Sequence, residues 1–267
     1  MLSSLELALH QLGLNDFFAM LEAWQIWAIF GCFIWGGFVR GAFSFGGAAL
    51  SLPMLLVIYP QPLFFLPLIA VHLLFFGCFS VIKRLSQIDW PYLRKLIVLL
   101  LPTKILGILG LLQLPAEVLV IIIYGFSLFY AVNYLLLGKL RAKPGRATQI
   151  TETVMLLFGG YMSGTALSGA PLIVAVVGKY VAKNSLRATL FALWTMLVII
   201  KLAAMHYAGF SLQLAHHLWL LPAAAIGHLI GIRVYRYLHQ LPDQVYYRVL
   251  GCILLLLGVL GFVDYFL

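Results

Sequence analysis

Charge is scarce in this sequence. Only 9% of the residues are Asp, Glu, Lys or Arg, against 64% hydrophobic residues in a chain of 267. That balance excludes a soluble globular core and indicates a polytopic membrane protein. Acidic residues are the scarcest: Glu6, Asp16, Glu22, Asp89, Glu117, Glu152, Asp243 and Asp264 are all there are, and none falls at the centre of an apolar run. Cation transport, which usually needs an intramembrane carboxylate, is disfavoured, and the commonest proton relay is missing. The cysteines, Cys32, Cys78 and Cys252, lie in apolar runs without metal-ligand spacing or an obvious pairing and read as small core residues. There is no nucleophile elbow, phosphate loop or metal-ligand cluster, so no enzyme, cofactor or metal is expected. No Lys or Arg precedes Arg40, which leaves a signal peptide without its basic region. Residues 1–22, with Glu6, His10, Asn15 and Asp16 among leucines and phenylalanines, read as an interfacial segment.

Glycine, by contrast, is patterned. An apolar run from Trp24 meets Gly36, Gly37, Gly41, Gly46 and Gly47, and a second run meets Gly159, Gly160, Gly164 and Gly169. Four of these pair at a shift of 123 residues: 36 with 159, 37 with 160, 41 with 164 and 46 with 169. Such paired interruptions predict two broken membrane helices that meet at a mid-membrane binding site. The start of a broken helix's second half offers free N–H groups and the positive end of the helix dipole, and glycine lets an anion approach the backbone. The competing reading is close helix packing through small residues.

The remaining spans are predicted at residues 63–82, 96–112, 118–137, 186–205, 218–232 and 246–262. Leu101-Pro102 and Gly107 recur as Leu221-Pro222 and Gly227, a shift of 120. The expected fold class is therefore an all-α polytopic membrane protein of two inverted-topology repeats, each a broken or re-entrant helix pair plus three transmembrane helices. Residues 23–137 form repeat 1, 138–150 a cytoplasmic linker and 151–267 repeat 2. The formal charge of +9 does not signal nucleic acid. Its basic residues cluster at 83–95, 139–146, 179–187 and 233–248, and placing all four clusters inside satisfies the positive-inside rule. Both termini then face out. The second broken element must enter and leave on one side, either as a re-entrant hairpin or as two short crossings.

Arg40, Lys104 and Lys201 fall outside those clusters. Arg40, read as lying in the first break, is expected to clamp an oxyanion with its planar fork, with a structural contact to carbonyls as the alternative. Lys104 sits mid-span. Lys201, near a span end, is expected to snorkel to the surface. Ser44, Ser163, Thr165 and Ser168 offer hydroxyl donors at the breaks, unless they bond their own backbone. The substrate-binding set is thus Arg40, Gly41, Ser44, Gly46, Gly47, Ser163, Gly164, Thr165, Ser168, Gly169 and Lys104. His72 and His228, within spans, are candidates for proton coupling or satisfied core histidines.

Residues 36–53, GGFVRGAFSFGGAALSLP, resemble the first signature of the sulfite exporter TauE/SafE family of membrane permeases. Residues 159–172, GGYMSGTALSGAPL, echo the second, and residues 221–238 with 241–262 are similar to the family's C-terminal pattern. Family glycines fall on Gly41, Gly46, Gly47, Gly164 and Gly169. Phe45 departs from the usual run of small residues, and Arg40 is not part of the family pattern. The resemblance implies a multi-pass bacterial inner-membrane exporter of small anions such as sulfite or organosulfonates. Its partners are that anion and the lipid bilayer, with a homodimer as a further expectation. An anion channel and a membrane-embedded subunit of a larger complex are the alternatives.

Overall fold

The computed structural model describes residues 21–43, 47–136, 146–238 and 243–266. Among them the protein is helical and without strands. The helices are α1 (Ala23–Phe43), α2 (Gly47–Ile58), α3 (Pro62–Ile82), α4 (Trp90–Gln113), α5 (Ala116–Leu136), α6 (Arg146–Ala166), α7 (Ala170–Tyr180), α8 (Lys183–Tyr207), α9 (His217–Leu238) and α10 (Asp243–Phe266). Six segments are long and apolar enough to cross a membrane: 23–43, 62–82, 90–113, 116–135, 184–207 and 214–235. The outer surface suits lipid, since Trp27, Phe79, Val98, Leu106, Leu229 and Leu256 are all exposed. The protein is a multi-pass membrane protein.

Local chemistry sets the boundaries. α4 opens on Asp89, whose carboxylate accepts from the Tyr92 amide at 3.1 Å, with proline in its first turn. It ends at Leu114, in an extended conformation before Pro115. α3 likewise starts on Pro62. α8 is followed by Gly209 at φ +80°, where the chain turns back.

The glycine segments behave differently from the expectation. α1 continues through Gly36, Gly37 and Gly41 to Phe43, and α6 continues through Gly159, Gly160 and Gly164 to Ala166. The second break, residues 167–169, is therefore much shorter than its glycine-rich stretch, and helix resumes at Gly47 in the first element, where residues 44–46 lie outside the described residues. Arg40 lies in the last turn of α1 and not in a break.

Both broken elements are antiparallel hairpins. Gly47 approaches Arg40, and Gly36 approaches Ser51. At the open end, Gln25 Nε2 donates to the Ile58 carbonyl at 3.0 Å. In the second hairpin Gly159 lies against Gly169 and Ile173. Its open end is clasped by Glu152, which accepts from Lys179 Nζ at 2.9 Å and from the Tyr180 hydroxyl. The two ends of the second element lie together at the Glu152–Lys179 contact, as both a re-entrant hairpin and two short crossings require. The return limbs α2 and α7 have 12 and 11 residues. At 1.5 Å per residue they are roughly 16–18 Å long, well under the ~30 Å of a hydrocarbon core. Each limb is buried in its own apolar cluster, α2 through Leu52, Leu55 and Leu56, α7 through Ile173, Val176 and Val177.

The dominant helix pairs are α1 with α9, α4 with α6, α3 with α8 and α5 with α10. The first two crossings are so close that helix backbones touch. A side chain at Gly227 would strike the Ile34 carbonyl, and one at Gly107 the Tyr161 carbonyl. Gly37 and Gly41 face Ala224 and His228 in the first crossing, and Gly160 and Gly164 face Leu100 and Lys104 in the second. Small-residue packing accounts for the missing side chains at these positions.

Gly227→Ala is expected to push α1 and α9 apart and to destabilise the protein by about 1–3 kcal/mol, as overpacking does. Gly125→Ala, with nothing within 4 Å of the added carbon, is expected to be neutral. Thermal unfolding of the two purified variants in detergent checks this; equal melting temperatures would show that the crossing is loose.

Candidate functional site

The tips of the two hairpins meet around one cavity. Arg40, Gly47 and Ala48 line it from the first hairpin, and Ser163, Leu167 and Ala170 from the second. Leu73 of α3 and Phe191, Trp194, Leu197 and Val198 of α8 complete the wall. Its empty space is about 550 Å³, mouth included. The first residues of α2 and of α7 both border it, so two helix N-termini with their positive dipole ends face one space. Leu167 holds the second tip at φ 56°, a left-handed conformation costly for a residue with a side chain and sustained only by its surroundings.

The electrostatics of the site follow from where helices end. The last carbonyls of α6 have no amide above them, and in an apolar environment each needs a donor. Two lysines supply it. Lys104 Nζ donates to the Ser163 carbonyl at 3.2 Å and to Ser163 Oγ at 3.1 Å. Lys201 Nζ donates to the carbonyls of Gly164 at 2.7 Å and Thr165 at 3.0 Å. Both lysines are 0% exposed. Lys201 therefore does not snorkel: its ammonium turns inward because the helix end offers two carbonyls. A cation at the C-terminus of a helix also meets the negative end of the dipole.

Arg40 is buried, its Nη1 donating to the His72 carbonyl at 3.3 Å and its guanidinium 5.0 Å from the Phe76 ring centre. Among the described residues its Nε has no partner, and neither has the indole N–H of Trp194 or the hydroxyl of Ser168. The one ion pair among the described residues is Lys179–Glu152, at the open end of the second hairpin. Arg40, Lys104 and Lys201 are thus buried basic side chains with no carboxylate partner among the described residues.

The remaining expected residues divide. Arg40, Gly47 and Ser163 line the cavity. Lys104 stands behind Ser163. Gly41 and Gly164 are packed on α9 and α4, and Gly169 lies against Gly159. The Thr165 hydroxyl is directed at the Tyr161 and Gly107 carbonyls. Ser44 and Gly46 lie outside the described residues. His72 and His228 are buried and do not line the cavity; the His72 ring is 5.0 Å from that of His217, and the His228 ring 4.7 Å from that of Phe76. Sequence reasoning missed Trp194 and Phe191, which carry no motif; only the helical register that links them to Lys201 distinguishes them.

Hairpin tips that share a cationic, carboxylate-free cavity inside an apolar helical bundle define a membrane permease. The family model for the sulfite exporter TauE/SafE matches residues 29–260. The chain belongs to that family of transporters. No curated protein and no solved structure matches it.

Amine-selective acetylation of the folded protein is expected to modify Lys83 and Lys95, which are exposed, and to spare Lys104 and Lys201. Peptide mass spectrometry reads the result; modification of Lys201 as fast as Lys83 would restore the snorkelling geometry.

Proposed function

We propose that the protein is a secondary transporter that exports a small anion, sulfite or an organosulfonate, across the bacterial inner membrane by alternating access. The observation that carries this reading is the cavity between the hairpin tips. It presents a guanidinium with an unpartnered Nε, an unpartnered indole N–H and two helix N-termini, and among the described residues no carboxylate is paired with that guanidinium. A buried charge without a counter-charge is unfavourable, and a bound anion relieves it. Arg40 is the direct ligand. Ser163 offers its hydroxyl while Lys104 holds its oxygen. Gly47 and the amides that start α2 and α7 complete the donor set, to which Ser168 and Gly169 belong by their place at the second tip and Ser44 and Gly46 by the sequence reading alone.

The packing pattern supports two inverted repeats, residues 23–137 and 151–267. Shifting by half the chain turns the α1–α9 pair into α6–α4 and returns α3–α8 and α5–α10 to themselves. That is the behaviour of two halves related by a pseudo-two-fold axis. Three spans per repeat invert the second half, and the basic clusters place both termini outside. Rocking of one hairpin and its supporting helices against the other would open the cavity to each side in turn. His72 and His228 stand near Arg40 as the groups available for proton coupling.

Purified protein in liposomes, assayed on a solid-supported membrane with sulfite, sulfonates, thiosulfate and carboxylates, is expected to give saturable currents with sulfite or a sulfonate. Non-saturating, ohmic current would assign a pore, and silence across the panel would overturn the reading. Arg40→Gln is expected to weaken sulfite binding by about 2–5 kcal/mol, roughly 30-fold or more; unchanged affinity in a monodisperse sample would leave Arg40 a purely structural contact. Trp194→Phe removes an N–H that has no protein partner, so the melting temperature should stay while sulfite affinity falls about fivefold, the worth of roughly one hydrogen bond. Calorimetric titration of both variants checks this.

A further inference from the structure

Arg187 lies near the start of α8 and is half-buried. It shares a helix face with the cavity wall: positions 187, 191, 194, 198 and 201 are spaced by four, three, four and three residues, which aligns them in one stripe. Phe191, Trp194 and Val198 of that stripe line the cavity. Lys201 closes the stripe at one end, fully buried, with its ammonium held by the Gly164 and Thr165 carbonyls. Arg187 closes it at the other. Its guanidinium carbon is 4.2 Å from the ring centre of Tyr235 on α9 and 5.6 Å from that of Phe191. Its Nη2 reaches the Gly41 carbonyl only at 3.5 Å, a long bond. No carboxylate is paired with it among the described residues.

We infer that Arg187 forms a second anion station at the mouth of the cavity, where a small oxyanion is held before it passes Phe191 to reach Arg40 and Trp194. The inference rests on the reading of the cavity as an anion site. The two ends of the α8 stripe differ in what their cations are free to do. Lys201 has no exposure and gives its protons to a helix end. Arg187 keeps partial exposure and has five N–H donors, more than Gly41 and Tyr235 take up. Aromatic rings cover a guanidinium's face and leave its edge for a two-pronged contact with an oxyanion. A cation at an apolar mouth raises the local anion concentration. Phe191 is one helical turn from Arg187 and is itself part of the cavity wall, so its ring stands between Arg187 and Trp194 along the stripe.

The test uses electrostatics and is independent of transport. In a protein with Cys32, Cys78 and Cys252 replaced by Ser, Phe191→Cys places a single thiol in the wall; Leu73→Cys serves if that variant is not monodisperse. The thiol is reacted with sulfonatoethyl methanethiosulfonate, an anion, and with the trimethylammonium analogue, a cation. The anion-to-cation rate ratio is expected to fall about tenfold on Arg187→Gln and to be largely kept on Arg187→Lys. A ratio unchanged by Arg187→Gln overturns the station. A ratio that falls in a protein that carries no sulfite in liposomes supports the station and sinks the transport reading. An unchanged ratio in a protein that does carry sulfite does the reverse.

Discussion

The structure depends on how a helix can end inside an apolar bundle. A terminus leaves carbonyls without amides, and there is no water in the hydrocarbon to take them. At the second hairpin the answer is two buried ammonium groups, Lys104 on three-dimensional neighbour α4 and Lys201 on α8, which together hold the carbonyls of Ser163, Gly164 and Thr165. At the first hairpin the Gly41 carbonyl, 123 positions earlier than Gly164, faces Arg187 of the same α8. One helix thus carries cations to equivalent carbonyls of both hairpins. Those short reaches need close helices, and the contacts of Gly107 with Tyr161 and of Gly227 with Ile34 show how close they are.

This solution has an electrostatic remainder. Helix-end carbonyls carry partial charge, whereas the Arg40 guanidinium carries a full one. Among the described residues no acidic side chain is paired with Arg40, Lys104 or Lys201; Glu152 serves Lys179 at the far end of its hairpin. The tips therefore enclose the Arg40 guanidinium within apolar walls of Leu73, Phe191, Leu197 and Val198. Low polarity strengthens the field of an unpaired charge and makes the empty site unfavourable. A small anion is the chemical species that such a region favours, and the scarcity of carboxylates is what keeps it from being neutralised from within.

Composition determined the solvent of this protein: 64% hydrophobic residues with 9% charge can be folded only where lipid covers the exposed leucines and phenylalanines. The repeated glycines lie beside the reversal between α6 and α7, at residues 167–169. They did not say what the glycines are for. Gly37, Gly41, Gly160 and Gly164 proved to be contacts between helices and not openings in the backbone, since whether a missing side chain makes room for a helix or a ligand depends on what lies opposite. Lys201 shows the same limit. Its distance from the span end allowed snorkelling, and only the position of the α6 terminus, 36 residues away along the chain, turned its ammonium inward. Trp194 and Phe191 had no local signal, because a residue becomes part of a cavity wall through the register of its helix against two hairpins. The sequence by itself decided the medium and the helical class, which are compositional or local. Tertiary structure alone decided which cations face which carbonyls and what the tips enclose, because those are distances between segments that the chain brings together only on folding.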